Sequence, residues 1–95
     1  MTPSINAVGF TLTPANTELI ESKLKRIAYA EDLIVDLIIK VKNANDFSAE
    51  ATVNFKWGAQ AHVEAADKDF AAAINKMMDV LDNKVKKEKD KYQEK

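Results

Sequence analysis

Lys84, Lys87 and Lys91 recur at i, i+3 and i+7 in the segment DFAAAINKMMDVLDNKVKKEKDK, and Lys76 precedes them on the same flank. At about 100° per residue these ammonium groups line one side of a helix. Asp79, Asp82 and Asp90 fall towards the other side, with Lys86 among them. Earlier in the chain Lys23 and Arg26 stand three residues apart, with Lys25 between them. Rows of cations on a rigid element neutralise closely spaced phosphates and release counterions, and an arginine can fork onto one phosphate through two parallel donors. The chemistry on offer is polyanion binding. Its candidate phosphate contacts are Lys23, Arg26, Lys84, Lys87 and Lys91 first, then Lys25, Lys76, Lys86 and Lys89.

Residues for other chemistry are few. His62 is the only histidine and there is no cysteine, so no second ligand joins it around a metal and no disulfide frame exists. Glu50 and Glu64 lie near one another across an expected hairpin, but two exposed carboxylates with no pocket make a solvated pair rather than an acid and a base. No Gly-rich phosphate loop or nucleophile elbow is present. The expectation is a binding protein with no catalytic residues, no cofactor, no metal and no small-molecule substrate.

The formal net charge of −1 conceals an uneven distribution. From Lys84 onward six lysines face three acids, whereas the preceding parts of the chain are mildly acidic. A basic end can also be a solvated, fraying helix terminus. Ninety-five residues suit one domain over 1–95 with a single core. No apolar run approaches the ~20 residues that cross a bilayer, and the start lacks a signal-peptide pattern, so a soluble cytoplasmic protein is expected.

The elements that must position the cations follow from hydrophobic periodicity. Ser4 to Phe10 reads as a strand. Thr13 and Pro14 suit the N-cap and first position of a helix that runs to about Tyr29 on an Ile20, Leu24 and Ile27 stripe. Val35, Leu37, Ile39 and Val41 then alternate with Asp36, Ile38, Lys40 and Lys42, which predicts a half-buried strand. A turn at 43–46 leads to a second alternating run through Ala49, Ala51, Val53 and Phe55, and a hairpin turn at Trp57 and Gly58 leads to Ala59, Ala61, Val63 and Ala65. The last helix buries Phe70, Ile74, Met77, Leu81 and Val85. This β-α-β-β-β-α order is an α+β fold, with a four-stranded mixed sheet and both helices on one face. It resembles a double-stranded-RNA-binding domain with one strand added in front. If the helices lie side by side, Arg26 and Lys87 should border one continuous positive surface.

The chain also resembles the short-form ribosome hibernation-promoting factors and ribosome-associated translation inhibitors, the sigma-54 modulation protein family, over nearly its whole length. The resemblance is carried by the first strand leading into Phe10-Thr11-Leu12-Thr13, by Lys23 and Arg26, by Ala49-Glu50-Ala51-Thr52-Val53, and by Asp69-Phe70-Ala71-Ala72-Ala73-Ile74-Asn75 with the Lys-rich end Lys87-Glu88-Lys89-Asp90-Lys91. It departs at Ala7, Ala71 and Asn75, where the family usually has Gly, an aromatic residue and Asp. The resemblance implies a monomeric protein that binds the small ribosomal subunit and its rRNA in the channel used by messenger and transfer RNA, blocking translation in resting or stressed cells. A general double-stranded-RNA or protein-interaction module of the same fold is the alternative reading.

Overall fold

The computed structural model describes residues 3–93. β1 (Pro3–Val8) leads to α1 (Pro14–Leu24), a 3₁₀ helix (Lys25–Leu33), β2 (Ile34–Asn43), β3 (Phe47–Phe55), β4 (Gln60–Asp67) and α2 (Phe70–Gln93). The strands lie in the order β1-β2-β3-β4, with β1 parallel to β2 and the other two pairings antiparallel. The expected mixed sheet is therefore present. Leu37, Ile39 and Val41 of β2, Ala49, Ala51 and Val53 of β3, and Ala61 and Val63 of β4 turn to the covered face, where they join one apolar cluster with the helices.

The two helical segments cover different halves of that face. α2 packs on β3 and β4. Alanines at positions 49, 51 and 61 on those strands are fully or almost fully buried and leave room for the large side chains of α2: Ile74, Met77, Met78, Leu81 and Val85 are all at 0 % exposure. Met78, which borders the apolar stripe on a helical wheel, is therefore full core, as the flexible thioether side chain allows. Each such burial stabilises the fold by about 1.5–3 kcal/mol relative to exposure. The 3₁₀ helix touches both β2 and α2.

Local signals set the element ends. Thr13 caps α1: its Oγ1 accepts from the Asn16 N–H at 3.1 Å, and the Asn16 side chain accepts from the Thr13 N–H at 3.2 Å, closing a capping box. Asp69 caps α2 by accepting from the Ala72 N–H at 3.0 Å.

The helix that starts at Pro14 does not continue as α-helix to Tyr29. From Lys25 it tightens to 3₁₀ geometry and extends to Leu33. In that geometry residues three apart eclipse one another, and Leu24, Ile27 and Ala30, with partly buried Leu33, fall on one line facing the core. The apolar spacing of three is kept by the tighter helix, whereas an α-helix would rotate it off the sheet.

Two strand expectations also change. β1 ends at Val8 rather than Phe10. Phe10 instead meets Phe47 and Phe70 edge to face, with centroids 5.5 and 6.2 Å away, and Phe47 and Phe70 meet at 5.6 Å. Val35, expected to face inward, is 57 % exposed. A register irregularity between Ile34 and Asp36 turns Ile34 into the core and Val35 out, so the alternation begins only at Leu37.

Gly9 and Gly58 both have positive φ, +85° and +87°. A Cβ on Gly9 would come within 2.6 Å of the Asn43 carbonyl oxygen, a backbone atom, whereas one on Gly58 would meet nothing within 4 Å. Gly58 closes the β3–β4 turn by donating its N–H to the Phe55 carbonyl at 3.0 Å. Gly9→Ala should therefore cost about 2–4 kcal/mol and Gly58→Ala only about 1 kcal/mol, the left-handed conformation being disfavoured at both sites and the clash arising at one. Urea unfolding of the two variants checks this order.

Candidate nucleic-acid interface

Among the described residues no polar or charged residue is buried. Among the described residues no side-chain polar atom is buried without a partner, and no cluster of His, Asp and Glu could hold a metal. His62 lies on the open face of the sheet, exposed, with Nδ1 2.9 Å from Thr52 Oγ1. Glu50 and Glu64 are direct cross-strand partners on that same open face, with Lys40 on the far side of Glu50.

Burial fixes the rotation of α2, and rotation sorts its charges. With Ile74, Leu81 and Val85 turned to the core, the stripe of Lys76, Lys84, Lys87 and Lys91 falls on one flank and Asp82, Lys86 and Lys89 on the other, about 150° round the helix. Lys76 pairs with Asp67 at the end of β4, at 2.8 Å, which places the lysine stripe on the β4 side. Lys84, Lys87 and Lys91 make no ion pair within the described residues, and all three are exposed. Val80, 45 % exposed, lies within this stripe.

The end of α2 carries Lys87 and Lys91 beyond the core. Val85 is its last buried residue among the described ones, and at about 1.5 Å per residue the 24-residue helix is about 36 Å long. Its last turns are held by ring stacking: Tyr92 lies on Trp57 at 4.2 Å and 12°, and Trp57 lies on Phe55 at 4.9 Å and 16°. Trp57, a turn residue that could have offered its ring to a nucleobase, is instead packed between two protein rings.

The opposite flank of α2 meets the 3₁₀ helix through a polar node. Arg26 donates to Asp79 Oδ1 at 2.8 Å and to Asp82 Oδ2 at 3.4 Å. The Tyr29 hydroxyl donates to Asp82 Oδ1 at 2.6 Å, and the Lys86 ammonium stands 3.5 Å from Asp82 Oδ2. Lys89 sits over the Tyr29 ring, 5.4 Å from its centroid. Arg26 and Tyr29 reach the same partner because residues three apart eclipse in a 3₁₀ helix. Asp79 and Asp82, also three apart, face them from α2. The Tyr29 hydrogen bond, helped by the charges of Lys86 and Arg26, holds the Asp82 carboxyl below the usual carboxylate range. Partial burial, followed by the Asp82 hydrogen bond, pushes the Tyr29 phenol up. At the other end of α2 the Lys76 hydrogen bond, with the Asp69 N–H, lowers Asp67.

The nine candidate cations thus divide. Arg26, Lys76 and Lys86 are engaged by carboxylates. Lys89 is packed over Tyr29. Lys23, Lys25, Lys84, Lys87 and Lys91 make no ion pair within the described residues, and Lys25 lies on the far side of the 3₁₀ turn from Arg26, beside Pro3, Leu24 and Ala28. One continuous positive surface from Arg26 to Lys87 is not formed. Arg26 turns into the interhelical node, and the back of α2 between it and the lysine stripe carries Asp79 and Asp90. Asp79 and Asp82 were the partners missing from the sequence reading of Arg26.

The node makes stability depend on pH in a stated direction. Asp82 and Asp67 have lowered folded values, so the unfolded chain binds more protons, and their contribution is present above about pH 4 and is lost as pH falls through the folded values. Tyr29, raised in the fold, contributes stability that is present below about pH 10 and declines above it. Asp82→Asn should lower stability at pH 7 by about 1 kcal/mol and flatten the acid limb. Denaturant titrations of both proteins from pH 3 to pH 7 check this.

Comparison with solved structures finds a ribosomal subunit interface protein from Coxiella burnetii at 26% identity and a TM-score of 0.86, covering 94% of this chain and 98% of that one. The N-terminal domain of Thermus thermophilus Protein Y is similar at 27% identity and a TM-score of 0.81, covering 92% and 98%. Comparison with curated proteins finds no match. The sequence matches the family described as Sigma 54 modulation protein / S30EA ribosomal protein over residues 4–93, and the chain belongs to that family.

Proposed function

We propose that this protein is a ribosome hibernation factor. It binds the small ribosomal subunit in the channel used by messenger and transfer RNA and inhibits translation in resting or stressed cells. Family membership supports the ribosome as partner, and the similar Coxiella protein is described as a ribosomal subunit interface protein. The observation that carries the binding mode is the stripe of Lys84, Lys87 and Lys91, exposed and without an ion pair within the described residues. Its helix is fixed at one end by the Asp69 cap and near the other by the Trp57 stack.

A fixed row of ammonium groups loses little conformational freedom beyond its own side chains when it meets phosphates, and each neutralised phosphate releases counterions. Such contacts hold position without reading sequence. Lys23 and Lys25 on the first helical segment are further contacts, whereas Arg26, Lys76 and Lys86 must leave carboxylates before they can take phosphate. Lys89 must likewise leave the Tyr29 ring. The protein acts as a monomeric domain in the cytoplasm, by occupancy rather than catalysis, and needs no cofactor. No helix among the described residues is long and apolar enough to cross a membrane.

Lys84, Lys87 and Lys91 changed together to Ala should weaken binding to small subunits by roughly tenfold or more while leaving the unfolding curve unchanged, since exposed lysines contribute little to stability. Unchanged cosedimentation of this variant would place the RNA surface elsewhere. For about five phosphate contacts the logarithm of the binding constant should fall by roughly 3 to 5 per decade of salt. A slope near zero would indicate apolar docking on a ribosomal protein and would overturn phosphate-row binding.

A further inference from the structure

We infer that Asp79 and Asp82 are specificity-determining residues that suppress binding to bare polyanionic RNA by holding Arg26. The inference rests on the reading of the chain as a ribosome-binding protein. Arg26 is the chain's single arginine and so the one side chain able to fork onto a phosphate. In the free protein both arms of that fork are taken, at 2.8 Å by Asp79 and at 3.4 Å by Asp82. The two acids come from α2, 53 and 56 residues away in sequence, and Asp82 is fastened further by Tyr29 and Lys86. The grip is thus built between two elements and does not arise from chance proximity along one helix.

A phosphate that uses Arg26 has to displace carboxylates and then lies beside them. Unstructured RNA offers only negative charge, so it loses the ion pair and gains repulsion from Asp79, whose side chain is 65 % exposed. A ribosomal surface that presents phosphate and basic protein groups together can take Arg26 and pair with the released Asp79. The same two carboxylates therefore penalise one kind of partner more than the other, which is how specificity arises as a difference of affinities. Lys84, Lys87 and Lys91 carry no such restraint and supply the general attraction.

The test compares Asp79→Asn with Asp36→Asn, which removes the same charge from the open sheet face. Binding is measured by fluorescence anisotropy on a labelled oligouridylate and by sedimentation with purified small subunits, both at physiological salt. Asp79→Asn should bind the oligouridylate about three- to tenfold more tightly, with a smaller gain on subunits, so that discrimination falls. Asp36→Asn should change oligouridylate binding by about twofold or less. In an Arg26→Gln background the gain from Asp79→Asn should shrink, because the residue being released is gone. Equal gains from Asp79→Asn and Asp36→Asn, an undiminished gain without Arg26, or equal gains on both ligands would each overturn the inference. Failure of the unaltered protein to sediment with subunits would instead count against the proposed function, and the oligouridylate arm would still decide whether Asp79 restrains Arg26.

Discussion

The rotation of α2 about its own axis is the constraint on which the charge pattern of this protein depends. That rotation is set by burial: Ile74, Met77, Met78, Leu81 and Val85 reach the sheet because β3 and β4 present alanines beneath them. Rotating the helix by one residue would carry a charged group into the core at a cost of several kcal/mol. Everything polar on the helix is thereby assigned a direction. Lys84, Lys87 and Lys91 are turned out past β4, and Asp79 and Asp82 are turned towards the 3₁₀ segment, where Arg26 and Tyr29 meet them.

The same burial gives a chain of nearly balanced charge an exposed row of cations. Acids and bases are not spread evenly over the surface. Asp79 and Asp82 are spent within the protein, joining two elements, while Lys84, Lys87 and Lys91 on the other flank of the same helix make no ion pair within the described residues. The long helix adds reach, and the parallel stack of Phe55, Trp57 and Tyr92 keeps its last turns against the β3–β4 hairpin. At the opposite end of the molecule Phe10, Phe47 and Phe70 gather the start of α2, the start of β3 and the loop after β1 into one edge-to-face group. The helix is thus held by rings at both ends.

Much of the fold was legible because its signals are local. Strict alternation from Leu37 onward, the Thr13-Pro14 start and the Phe70 to Val85 stripe each follow from the periodicity of one element. What was not legible depended on pairings between elements. The irregularity that turns Val35 outward is set by the pairing with β3, and nothing in Ile34-Val35-Asp36 announces it. The 3₁₀ geometry after Leu24 did leave a trace, an apolar residue at every third position through Ile27, Ala30 and Leu33, but an α-helical stripe begins in the same way. At the candidate interface the outward lysine stripe could be read from α2 alone, whereas the fate of Arg26 could not. Its partners lie 53 and 56 residues away, and only the packing of one helical segment against another shows that the chain's single arginine is already held.

The account stands most directly on the location of the charge proposed to meet RNA. Two variants with the same change in net charge separate location from total charge: Lys87→Glu on the outward stripe of α2, and Lys42→Glu on the open sheet face, measured by equilibrium binding to purified small ribosomal subunits at one salt concentration. Lys87→Glu should lower affinity by roughly tenfold or more, because it removes a phosphate contact and adds repulsion, and Lys42→Glu should change it by about twofold or less. Equal losses from the two variants would contradict the account, since binding would then follow net charge and not the stripe that the packing of α2 turns outward.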